Sequence, residues 1–83
     1  MTSKNPRRLV LAEMDTGARV FFRAVNAGRT LSSRLAALGL VDGAQLEVLQ
    51  NSGRGPVLVR VHNTRVALGH DEAMKVLVEE IDQ

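Results

Sequence analysis

The sequence predicts a mostly β domain, with about five short strands closed into a small barrel, one inserted α-helix and a short helical turn near the C-terminus. Three observations carry this reading. Valine-rich segments with period-two alternation recur from Ala18 onward and are punctuated by Gly, Pro, Asn and Asp. Only Leu31–Leu38 shows helical spacing. Strands this short, joined by brief links, favour closure because it removes unpaired edges.

In chain order, Met1–Arg8 is polar, contains Pro6 and carries Lys4, Arg7 and Arg8, and it reads as a flexible basic tail ahead of a domain spanning 9–83. Leu9–Met14 is apolar enough for a short first strand or a docked extended segment. After the turn signal Asp15-Thr16-Gly17, Ala18–Val25 reads as the first full strand, with Val20, Phe22 and Ala24 on one side and Arg19, Phe21 and Arg23 on the other. A helix follows over about Thr30–Leu38, with Thr30 as N-cap. Leu31, Leu35 and Leu38 stand at i, i+4 and i+7, so all three are expected on the core face while Ser32, Ser33 and Arg34 stay wet. Gly39 suits the left-handed C′ position, which would bring Leu40 back onto Leu35 as a Schellman-type ending.

Asp42-Gly43 turns the chain into Gln45–Gln50, where Leu46 and Val48 face inward and Leu49 does not. Asn51–Pro56 is a hairpin tip. In Val57–Val61 the odd positions, Val59 among them, are core and Leu58 and Arg60 face out. His62-Asn63-Thr64 turns, and Arg65–Leu68 returns with Val66 and Leu68 inward. Gly69–Glu72 opens a helical turn, acidic at its positive end, and Val76–Ile81 is the last strand.

Composition excludes several classes of function. The 83 residues contain no Cys, Trp or Tyr and two Phe, so disulfides and thiolate metal sites are ruled out, and the shortage of aromatics argues against an aromatic peptide groove and base-stacking platforms. Apolar runs are too short to span a bilayer and MTSKNPRRLVLAEM has no signal-peptide pattern, so a cytoplasmic protein is expected. The net charge of +2 resides in the tail: three of the eleven basic residues precede Leu9, and from there eight basic residues meet nine acidic ones. There is no G-x-x-x-x-G-K-[ST] loop and no Ser/His/Asp or Cys/His set, so no catalytic residues are assigned and no cofactor is expected.

The order LGLVDGAQLEVLQ, a Gly/Pro loop, VLVRV, a turn and RVALGHDEAMKVLVE resembles the FeoA family over roughly Leu11–Glu79. The strongest match is RLAALGL-x-x-G, Arg34 to Gly43, followed by Arg65, Ala67, Leu68, Glu72 and Ala73. The resemblance implies an SH3-like barrel and a non-enzymatic accessory role in bacterial ferrous iron transport. The implied partner is the cytoplasmic GTP-binding domain of the membrane transporter FeoB. The same domain type also resembles the C-terminal module of iron-dependent repressors, although no helix-turn-helix precedes it in this chain.

Arg34 on the helix, Val41 at its corner, and Leu49 and Leu58, two apolar residues that alternation places outside, are the candidate partner-binding residues. His62, His70, Asp71 and Glu72 supply the residue types for weak divalent metal binding, at a spacing that defines no motif. Two further readings rest on charge alone. One is a nucleic-acid-binding barrel using Lys4, Arg7, Arg8, Arg54, Arg60 and Arg65. The other is Arg54 lent from the hairpin tip to a partner's nucleotide phosphates.

Overall fold

The computed structural model describes residues 9–81; the expected basic tail, 1–8, lies outside the described residues. The chain runs β1 (Leu9–Val10), a 3-10 turn (Leu11–Glu13), β2 (Arg19–Val25), α1 (Arg29–Ala37), β3 (Gln45–Asn51), β4 (Val57–Val61), β5 (Thr64–Leu68), α2 (His70–Met74) and β6 (Val76–Glu80). The six strands form one antiparallel sheet in the order β1-β6-β2-β3-β4-β5. The sixth strand is β1, which is two residues long because the chain tightens at once into the 3-10 turn that buries Leu11 and Ala12. Among the described residues β1 and β5 do not pair, so the sheet curls without a closing ladder.

Curling puts one face of every long strand into a single core. Val20, Phe22, Leu46, Val48, Val57, Val59, Val61, Val66, Leu68, Val76 and Val78 are all buried, and among the described residues no polar or charged one is buried. Each such side chain contributes about 1.5–3 kcal/mol relative to exposure. Leu11, Leu35, Leu40 and Ala73 complete the core from the 3-10 turn, α1, the turn after it and α2. The expected core residues Leu35, Leu46, Val48, Val59, Val66 and Leu68 are therefore inside, and Leu31 is half-buried against them.

Leu38 is the exception, at 44% exposed. Helical geometry ends at Ala37, and Leu38 is the C-cap at φ −94°, ψ 2°. Gly39 at φ +97° then turns the chain so that Leu40, 1% exposed, takes the inward place. Both Schellman hydrogen bonds form: the Leu40 N–H donates to the Leu35 carbonyl and the Gly39 N–H to the Ala36 carbonyl, each at 3.0 Å. At the other end Gly28, not Thr30, is the N-cap, and no side chain caps the helix.

Two bulges bend the sheet. One falls between Phe22 and Ala24 opposite β6, and the other between Val48 and Gln50 opposite β4. The second moves Leu49 out of strict alternation and leaves it half-buried, as is Leu58, so neither is the exposed residue that alternation predicts. The β4–β5 hairpin turns on two residues, His62 and Asn63, at φ +51° and +64°. Positive φ at both central positions matches the twist of a tight hairpin, and Asn tolerates it well.

Candidate functional site

The surface built from α1, the corner after it and the strands it touches holds most of the molecule's unusual chemistry. The Schellman turn fixes the corner Leu38–Ala44 rigidly, and Leu38 and Val41 protrude from it, Val41 48% exposed. Two further links hold the corner down. The Ala44 carbonyl accepts from the Phe22 N–H at 2.8 Å, and the Gly43 N–H donates to the Phe22 carbonyl at 2.8 Å.

Arg23, which lies at the first bulge, donates from Nη1 to Asp42 Oδ1 and from Nε to Glu79 Oε1, both at 3.0 Å. Its guanidinium also lies 5.4 Å from the Phe21 ring centroid. The hydrogen bond to Asp42, and then that to Glu79, raises the Arg23 pKa above its ordinary value, so the group stays charged. The corner, β2 and β6 are thereby joined through one cation. Sequence reasoning missed this triad because Arg23 and Glu79 are far apart in the chain and only the sheet register makes them neighbours.

The candidate residues fall into separate groups. Arg34 is exposed, but its Nη2 donates to Glu72 Oε2, tying α1 to α2. The other oxygen of Glu72 accepts from the Gly69 N–H at 3.1 Å and caps α2. An expected partner-binding residue and an expected metal ligand thus satisfy each other. His62 lies in the β4–β5 turn over the corner, where a Cβ on Gly39 would fall 2.9 Å from its Cδ2. His70 stands beyond the opposite end of β5, half-buried, with Nδ1 lacking a hydrogen-bond partner among the described residues. Among the described residues no three His, Asp or Glu side chains gather as a metal site. Val41 adjoins the start of β3 and Leu49 lies toward its far end, so the apolar partner-binding candidates do not form one patch.

Beside the corner opens a cleft of ≈ 480 Å³, whose lining includes Arg19, Ala44, Glu47, Arg60, His62 and Ile81. Arg60 Nη1 donates to Glu47 Oε1 at 3.0 Å across the β3–β4 ladder. At the opposite end of the sheet Asn51 does unforeseen work. Its Nδ2 donates to the carbonyls of Ala12 at 2.9 Å and Met14 at 2.7 Å, and its Oδ1 accepts from the Gly53 N–H at 2.9 Å. The hairpin tip that carries Arg54 is therefore anchored at its base to the 3-10 turn.

The FeoA domain family matches residues 9–80. A relative in Methanocaldococcus jannaschii named for Fe(2+) transport, protein A, is 32% identical over 72 residues and covers 87% of each chain. The solution structure of a FeoA protein from Chlorobium tepidum is similar at 31% identity and TM-score 0.82, covering 89% of this chain and 71% of that one. A zinc-complexed FeoA from Stenotrophomonas maltophilia, described as a procaryotic SH3 domain protein, matches at 31% identity and TM-score 0.74 over 84% of this chain and 88% of that one. A manganese-dependent transcriptional repressor shares the fold at TM-score 0.84 and 20% identity, over 94% of this chain and 44% of its own.

Proposed function

Because the chain belongs to the FeoA family of ferrous iron transport accessory proteins, we propose that it acts by docking on the cytoplasmic GTP-binding domain of the FeoB transporter and catalyses no reaction itself. The observation that supports this reading is the pair Leu38 and Val41. Two large apolar side chains, 44% and 48% exposed, stand within four residues of each other on a corner held by the Schellman turn and by Arg23. A rigid apolar pair loses little conformational entropy on docking, which is the cost that most erodes contact energy.

Of the expected docking residues, Val41 remains central. Arg34 lies at the rim, occupied by Glu72, and half-buried Leu49 and Leu58 serve the sheet before any partner. Leu38, expected inside, joins the surface instead. The repressor-like reading gains only a common fold, because the likeness at 20% identity carries no function. No metal ligand set enters the proposal.

The test is a binding titration with the purified GTP-binding domain. Val41→Asp and Leu38→Asp each place a charge in the contact and should weaken binding about tenfold or more, equivalent to roughly 1.4 kcal/mol. Both positions are exposed, so both variants should keep the wild-type unfolding midpoint. Undiminished binding by both folded variants overturns the placement at the corner.

A further inference from the structure

A single row of side chains crosses four strands on the outer face of the sheet. The register pairs Arg19 with Glu47, Glu47 with Arg60 and Arg60 with Arg65. Glu47 is the one acid in this row of three arginines, and it is already bonded to Arg60. Arg60 and Arg65 are directly opposite each other and both exposed, an arrangement that costs stability in an isolated hairpin. The cost is sharpened by hairpin geometry. A two-residue turn makes Val61 and Thr64 a hydrogen-bonded pair, so Arg60 and Arg65 form the adjacent non-bonded pair, in which side chains lie closer.

The same geometry decides where the backbone of β5 points. Thr64, Val66 and Leu68 direct their N–H and C=O groups to β4, and Arg65 and Ala67 direct theirs away from it. Among the described residues β5 pairs with β4 alone, which leaves these outward groups as an open edge. The excess cation and the open edge therefore coincide at Arg65.

We infer that the edge of β5 accepts an extended acidic segment of a partner protein, which adds as a further strand and sets a carboxylate against Arg65 and Arg60. Strand addition supplies main-chain hydrogen bonds, and alternate side chains supply selection. The residue paired with Arg65 lies on the same face as both guanidiniums, so an acid there relieves the repulsion that the free hairpin carries. Acidic residues at every second position would extend the match. Nucleic acid fits less well, since Glu47 interrupts the row and no aromatic side chain stands in it. A second copy fits less well too, because antiparallel β5–β5 pairing would bring arginines toward each other. This surface uses the β5 edge and neither Leu38 nor Val41, so the inference holds or fails without the docking corner.

The test uses the isotope-labelled full chain and a peptide of about eight residues alternating Glu and Val, with Gln and Lys versions as controls. Binding should shift the Arg65 and Ala67 amides and slow their hydrogen exchange about tenfold or more, while Val66, already bonded to β4, changes little. Affinity should fall as salt rises from roughly 50 to 300 mM. Arg65→Glu should abolish the preference for the acidic peptide. Ala67→Pro should weaken binding about tenfold while leaving the β4 ladder intact, since it removes only an outward N–H. Absence of shifts at millimolar acidic peptide leaves Arg65 as a guard against edge pairing and overturns the inference, and equal binding of the Gln or Lys versions overturns it as well, because the edge would then select no acid. So do the same shifts appearing with protein concentration alone, or competition by a single-stranded oligonucleotide.

Discussion

Gly39 and His62 show how one position serves two constraints. Gly39 has φ +97°, which a side chain disfavours by about 1–3 kcal/mol, and its missing Cβ makes room for the His62 ring. Gly39→Ala is expected to lower stability by about 1–3 kcal/mol in urea unfolding. Adding His62→Ala should restore only the part due to the 2.9 Å approach, because the backbone strain persists; full recovery in the double variant would show that φ carries no penalty here. The backbone half of this was legible, since a glycine after a leucine-spaced helix signals a left-handed turn. The His62 contact was not, because it joins two turns that only the folded sheet brings together. Asn51 is the same case: its sequence neighbours Ser52 and Gly53 mark a turn, but the carbonyls of Ala12 and Met14 that it satisfies are set by tertiary structure.

Among the elements, α1 departs most from expectation. Its leucine spacing correctly located the helix and Leu35, yet spacing alone treats the helix as continuing through Leu38. The C-cap ends that periodicity one residue early, and Leu40 takes the core place after the turn. Leu35→Ala should cost about 2–5 kcal/mol, whereas Leu38→Ala should change stability by no more than about 0.5 kcal/mol. Thermal or urea unfolding of the two variants checks this, and a comparable loss in both would mean that Leu38 packs in solution. The strands were easier to read, because valine alternation has period two and the sheet buries one face of each. What alternation misses are the two bulges, which carry no sequence signature here and which shift the pairing register at Arg23 and at Leu49.

Taken whole, the molecule pairs sequence-distant strands, β2 with β6 foremost, around one apolar core to which the described residues contribute no polar side chain. The family pattern was legible because it is a pattern of turns and spacings. The candidate site was legible only in part: Val41 was visible as an apolar residue at a corner, but the engagement of Arg34 by Glu72 and of Arg23 by Asp42 and Glu79 depends on contacts that no local signal reports. The pairing of β1 with β6 has a consequence for the chain as a connected string. Leu9 lies opposite Val78, so the backbone enters the sheet within three residues, about 10 Å, of where Ile81 leaves it. Such ends can be joined by a short glycine-serine linker and new ends opened between Arg54 and Gly55 in the exposed tip, beyond the hydrogen bond from Gly53 to Asn51. This circular permutant should fold to the same sheet, checked by amide shifts in β2 and β6, because topology here depends on which strands meet and not on where the string is cut.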